Sequence, residues 1–295
     1  RSTLSSSSAA SDVYKRQILS VAGIPQISYA STSPDLTDAA AYPGFFRVVP
    51  SDALQGQAMA AVATADGQDN IAVVHMTNSY GSGLADSFVA NMDAAHICNQ
   101  IGYDEATTDF TQAVQSVMDD GCTSVFLVSY ASDGAMIIEE MAVQGYSGAI
   151  YGGDGVAEEG LAATMTDNSL VDGVIGTKPA AVGAPGEVAL TFAYLCGMSP
   201  DCAGGIYTAE AFDAVTIMAF AAFTALTTPG LDAGMAVMAV GQGWNGASGS
   251  LSFMQNGDVP GSGYCIGEFS HDASDDSVSY DCTRNWDPVN GVTTA

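Results

Sequence analysis

The chain has 295 residues, 47% hydrophobic and 13% charged, enough apolar content for about two compact lobes. Its 33 acidic residues against 6 basic ones give a net charge of −27, which repels phosphate backbones and anionic lipid and excludes nucleic-acid and membrane-surface partners. The two lysines, Lys15 and Lys178, lie in no GxxxxGK[ST] loop, which excludes a P-loop nucleotide site.

Arg1 to Gln17 carries three of the six basic residues beside the run Ser5 to Ser8, and is set aside as an untrusted junction segment. From Ile18 the pattern is strand then helix, repeated. Ile24 to Ser28 reads as a short strand ending in the hydroxyl-rich loop Tyr29-Ala-Ser-Thr-Ser-Pro34, and Ser51 to Ala65 as a helix capped by Ser51. Ile71 to Met76 is an apolar strand of the buried parallel kind, followed by a helix over Ser82 to Asp93. Asp109 to Asp119 is amphipathic, Ser124 to Val128 is a second buried strand, and Asp133 to Gln144 is a helix closed by Gly145. Ala149 to Tyr151 is a strand leading into Gly152-Gly-Asp-Gly155. Helices near Glu187–Leu195, Ala209–Leu226 and Asp232–Val240 follow. A hairpin is expected over Gly249–Phe269, turning at Asn256-Gly-Asp258, with a last strand or loop over Ser277–Trp286. The longest uncharged apolar stretch, Ala214 to Leu226, is too short to span a bilayer. Alternating strands and helices predict an α/β fold with mostly parallel sheets flanked by helices.

Six cysteines and no CxxC motif, with His75, His96 and His271 scattered, argue against a metal site. An even count in an acidic chain suggests disulfides and an oxidising compartment. Pairing neighbours gives Cys98–Cys122, Cys196–Cys202 and Cys265–Cys282, one of 15 possible connectivities.

Polar groups recur where a strand hands over to the next helix: Ser31 and Thr32, Tyr80, Tyr130 and Asp154. In open parallel sheets ligands bind beyond the carboxyl ends of the strands, where helix N-termini point their N–H groups. Hydroxyls and backbone N–H groups suit a carboxylate, an Asp on a glycine-flanked loop suits an ammonium, and tyrosines can cover a side chain. Each residue alone has a bland use, as turn, cap or packing residue; their recurrence at one edge is the signal. GxSxG, HExxH and Rossmann GxGxxG motifs are absent, which argues against an enzyme and gives no reason to expect a cofactor.

The stretches Ala22–Thr37, Tyr42–Asp52 and Asn78–Ala85, the helix start at Thr108-Asp-Phe110, the loop Gly152–Gly155 and the segment Tyr207–Ala214 together resemble the type I periplasmic solute-binding proteins of ABC importers, of the leucine/isoleucine/valine-binding kind. The resemblance implies a two-lobed fold with three hinge crossings and a first lobe lacking about two βα units. By it, lobe 1 takes residues 18–50 and 183–256, and lobe 2 takes 51–175 and 264–295. The later crossings fall at 176–182 and 257–263, the first near Arg47–Ser51. It implies that Ala30, Ser31 and Thr32 hold a ligand carboxylate, that Tyr80 and Tyr130 line the second lobe, and that Asp154, where branched-chain binders carry Glu, holds the ammonium. The implied protein is a monomer, periplasmic or anchored at the cell surface, that captures an amino acid by hinge closure and docks on a membrane permease. Two alternatives stay open: a ligand-sensing receptor domain of the same fold, binding an amide or small carboxylate, and an α/β enzyme with an unrecognised site.

Overall fold

The computed structural model describes residue 15 and residues 18–158, 160–180, 186–198, 202 and 207–295. In chain order the elements are β1 (Gln26–Ser28), β2 (Phe45–Arg47), α1 (Asp52–Ala65), β3 (Ile71–Met76), α2 (Ser79–Asn91), β4 (Ile97–Tyr103), α3 (Thr111–Asp119), β5 (Ser124–Val128), α4 (Ala131–Gln144), β6 (Ala149–Gly152), α5 (Gly160–Thr164) and β7 (Ile175–Pro179). They continue with α6 (Glu187–Cys196), α7 (Thr208–Thr227), α8 (Ala233–Val240), β8 (Trp244–Asn245), β9 (Ser250–Leu251), β10 (Tyr264–Asp272), β11 (Ser277–Asp287) and β12 (Gly291–Thr294). The chain divides into two compact units, Arg1–Ser51 with Ala181–Ser262, and Asp52–Ala180 with Gly263–Ala295.

The second unit is built on an eight-stranded sheet in the order β12-β11-β10-β7-β6-β5-β3-β4. Strands β4, β3, β5, β6 and β7 run parallel, while β10, β11 and β12 add antiparallel pairs at the other side. The apolar runs of β3 and β5 hold its centre because every residue of β5 and all but His75 of β3 is buried, as expected of strands covered on both faces. Phe88 of α2 stacks on Phe126 of β5 with centroids 4.3 Å apart. Each fully buried ring of this size contributes about 2–3 kcal/mol over an exposed one. Helices α1 and α2 approach so closely at Gly56 that a Cβ there would lie 2.5 Å from Ser87 Cβ. Gly145 closes α4 in the left-handed conformation, φ 78°.

The first unit has the parallel pair β1–β2, with α7 packed on β1 and α8, and a small β8–β9 pair. Its core gathers Phe46, Val48, Ile217, Val237 and Phe253. The three disulfides are Cys98–Cys122, Cys196–Cys202 and Cys265–Cys282, the neighbour pairing.

Several expectations change. No hairpin joins β9 to β10: β9 pairs with β8, and β10 with β7 and β11. The Asn256-Gly-Asp258 turn does form, with Gly257 at φ 86° and Met254 N donating to Asp258 O at 2.7 Å. It packs on β2 instead, Arg47 N donating to Gly257 O at 3.0 Å, and the strands before and after it, β9 and β10, belong to different units. Gly176 to Pro179, expected in a crossing, are strand β7, whose Gly152↔Gly176 register on β6 needs no side chain. Helix α7 is longer than the stretch Ala214–Leu226, running 20 residues, enough by length and composition alone to cross a membrane. Helix α2 starts at Ser79, three residues before Ser82, because Asn78 Oδ1 accepts from Gly81 N at 2.7 Å. Helix α4 starts at Ala131 because Asp133 Oδ1 accepts from Tyr130 N at 3.1 Å.

Candidate functional site

Those two early helix starts decide where the tyrosines stand. Tyr80 falls in the first turn of α2, just past the end of β3, and Tyr130 is the N-cap of α4, just past the end of β5. Their rings stack with centroids 5.3 Å apart and planes 12° from parallel. Asp154 follows the end of β6 between two glycines that permit this approach. A Cβ on Gly155 would lie 2.5 Å from Ser129 O, and one on Gly153 2.8 Å from Leu84 Cδ2 and 3.1 Å from Tyr80 Oη.

The carboxylate of Asp154, 4% exposed, is held firmly. Tyr80 Oη donates to its Oδ1 at 2.9 Å and in turn accepts from Gly155 N at 3.3 Å. Burial first, then the negative charges of Asp154 and Asp52, raise the Tyr80 pKa well above its ordinary value. The phenol therefore stays protonated and donating throughout the physiological range. Burial, then Asp154, also pushes the Glu158 carboxyl up, with Lys178 opposing.

Gln55, buried on the first turn of α1, completes the network. With its amide oriented so that both faces are satisfied, Nε2 donates to Asp154 Oδ1 at 3.1 Å and to Asp52 Oδ1 at 3.0 Å. Its Oε1 accepts from Asp154 N at 2.9 Å and from Thr177 Oγ1 of β7 at 2.8 Å. Asp52 and Thr177 are both fully buried.

In the first unit, Ala30, Ser31 and Thr32 lie on one loop after β1, with Ser31 and Thr32 buried. Ser31 N donates to Ser28 Oγ at 3.1 Å. Arg47, fully buried, fixes this loop: Nη1 donates to Ser31 O at 3.3 Å and Ser33 O at 2.9 Å, Nη2 to Thr37 Oγ1 at 2.8 Å, and Nε to Asp258 Oδ1 at 2.7 Å. Thr37 Oγ1 in turn donates a hydrogen bond to Asp258 Oδ2 at 2.8 Å.

The structure thus brings Tyr80, Tyr130 and Asp154 together in one unit, and keeps Ala30, Ser31 and Thr32 on one loop of the other. Sequence reading missed Asp52, Gln55 and Thr177 around Asp154, and Arg47 and Asp258 behind the Ser31 loop. One signal was available: Asp52 and Gln55 are polar residues one turn apart in a helix whose other residues are mostly apolar. Chemically, a buried carboxylate bonded by the hydroxyl of one of two stacked rings and by a neutral amide suits an ammonium.

The model of the receptor family ligand binding region matches residues 4–272, starting inside the segment set aside on composition. A Leu/Ile/Val-binding protein homologue from Brucella melitensis is 29% identical over 144 residues, 48% of this chain and 39% of the relative. Metabotropic glutamate receptor 6 of the rabbit, Oryctolagus cuniculus, is 39% identical over 82 residues, 28% of this chain and 9% of the receptor. The chain therefore spans well under half the length of these relatives. A leucine-binding protein from Thermotoga maritima superposes with a TM-score of 0.81 at 20% identity, over 95% of this chain and 78% of that one. The chain belongs to the receptor ligand-binding-region family, and its fold is that of the type I, leucine-binding-like periplasmic proteins.

Proposed function

We propose that the protein is the extracytoplasmic solute-binding component of an ABC importer and that its ligand is an amino acid, branched-chain or similar. The observation that carries this reading is Asp154, a buried carboxylate held by Tyr80 and Gln55 at the carboxyl edge of a parallel sheet. In it, Asp154 takes the ligand's ammonium, the Tyr80 and Tyr130 rings cover its aliphatic part, and the Ala30–Thr32 loop supplies hydroxyl and backbone donors to its carboxylate. Hinge motion completes capture, and the loaded monomer docks on a membrane permease from the periplasm or the cell surface. The reading needs no turnover and no cofactor, and the family is one of binding proteins and receptors.

A second reading, a ligand-sensing domain, is favoured by the 39% identity to a metabotropic glutamate receptor over 82 residues. With an amide or small carboxylate as its ligand, that reading gives Asp154 no ammonium to hold.

Thermal unfolding against the twenty L-amino acids and their deamino carboxylates tests the reading. One group of amino acids raises Tm in proportion to the logarithm of its concentration, and the matching carboxylates, lacking the ammonium, raise it far less at the same concentration. Equal shifts from an amino acid and its deamino analogue contradict the role of Asp154.

A further inference from the structure

We infer that Gln55 is a positioning residue for the ligand's ammonium: it sets the place and orientation of Asp154 without touching the ligand. This rests on the reading of Asp154 as the ammonium partner. Gln55 supplies two of the bonds that fix that residue, beside the one from Tyr80. Nε2 grips the carboxylate at 3.1 Å while Oε1 grips the backbone N–H of the same residue at 2.9 Å. A side-chain amide carries a donor and an acceptor side by side, so Gln55 locks both ends of Asp154 at once. The amide is itself braced from two directions, by Thr177 Oγ1 at 2.8 Å from β7 and by Asp52 Oδ1 at 3.0 Å from its own helix. At 1% exposure it lies behind Asp154, shut off from solvent.

The amide is also electrically neutral. A lysine or arginine in its place could donate to the carboxylate, but it has no acceptor for Asp154 N and would cancel the charge that an ammonium needs. A neutral bidentate group aims the carboxylate and leaves its charge in place. The backbone of the loop Gly153-Asp-Gly155 has its own anchors, Gly153 N donating to Leu127 O at 3.3 Å and Val156 N to Gly153 O at 3.1 Å, and Gln55 adds a hold on the Asp154 side chain and N–H together.

The test compares Gln55→Met, which keeps the volume and loses the amide, with Thr177→Val, which removes the outer brace and leaves Gln55 and Asp154 in place. The first readout is the titration of the Asp154 carboxyl by 13C NMR, its resonance assigned by its absence in Asp154→Asn. Losing an N–H donor to the ionised form raises the Asp154 pKa in Gln55→Met, and by less in Thr177→Val. The second readout is calorimetric affinity for L-leucine, then the other nineteen amino acids, beside the deamino analogue 4-methylpentanoate. Gln55→Met weakens the amino acid by roughly 10- to 100-fold, the worth of one or two charge-assisted hydrogen bonds, and leaves the carboxylate analogue within about twofold. Equal loss for amino acid and analogue means a merely structural role and overturns the inference, as does an unmoved Asp154 titration. Unchanged amino-acid affinity in Gln55→Met, with Asp154→Asn abolishing binding, overturns the inference and leaves the reading of Asp154 standing. Unchanged affinity in Asp154→Asn, or a wild-type protein that binds no amino acid, overturns both.

Discussion

Arg47 and Asp154 are both buried charges that govern a loop after a parallel strand, and they are held in opposite ways. Arg47 in the first unit meets an opposite charge, Asp258, and spends its remaining donors on the carbonyls of Ser31 and Ser33 and on Thr37. Asp154 in the second unit is held by a phenol and an amide, both neutral. The first arrangement neutralises a charge in order to fix a backbone; in the second, Tyr80 and Gln55 fix a charge without themselves neutralising it. A buried ion pair is thus a structural device here, whereas neutral donors around a buried carboxylate fit recognition.

The comparison breaks most severely at Arg47. Arg47→Met leaves Asp258 buried without its counter-charge, and urea unfolding should show a loss of about 3–5 kcal/mol. Adding Asp258→Leu to that variant should recover part of the loss, because two partners removed together leave no orphan charge. A double variant less stable than Arg47→Met alone would show that Asp258 serves the turn at Gly257 more than it serves Arg47.

A smaller effect concerns Glu210, in the first turn of α7, whose carboxyl is raised from 4.5 to about 7, chiefly by burial and further by Asp213. A carboxyl raised by folding stabilises the fold most when protonated. Its contribution is therefore complete below about pH 4.5 and is lost as pH rises through about 7, up to about 3 kcal/mol in all. Glu210→Gln should flatten the stability profile across that window, and an unchanged profile would place the titration elsewhere. In the second unit Asp154 is held ready to carry charge; Glu210 in the first is held so that carrying charge costs stability.

The smallest effect belongs to Arg284, which pairs with Asp66 where both side chains are 23% exposed. Arg284→Met should cost under about 1 kcal/mol, and the difference from wild type should shrink further in high salt. A loss as large as that of Arg47→Met would remove burial as the quantity that separates the two pairs.

Much of this architecture is legible in the sequence where burial is uniform. Ile71–Met76 and Ser124–Val128 read to the residue because strands covered on both faces are continuous apolar runs. Strand β4 escapes because it is an edge strand in which Tyr103 alone of seven residues is buried, so it makes no apolar run. Strand β7, Ile175-Gly-Thr-Lys-Pro179, escapes because packing beside Gly152 and Tyr151 selects small and polar residues that carry no period. The Asn256-Gly-Asp258 turn misled because Asn-Gly signals local reversal, while the partner that decides its use, Arg47, lies 211 positions from Asp258. The same limit governs the site. Tyr80, Tyr130 and Asp154 are legible because each follows a strand, a local property. Gln55 and Thr177 are not, because their meaning comes from a contact 122 positions apart.

The central claim is that Asp154 is aimed at an ammonium, and isothermal calorimetry of wild type and Asp154→Asn with L-leucine and then the remaining amino acids tests it most directly. Asn keeps the shape and can still accept from Tyr80, so the thermal unfolding curve should scarcely move. Affinity for the bound amino acid should fall by about 100-fold or more, the cost of leaving a buried ammonium without its counter-charge. Wild-type affinity in Asp154→Asn would contradict the account and move the ammonium away from Asp154.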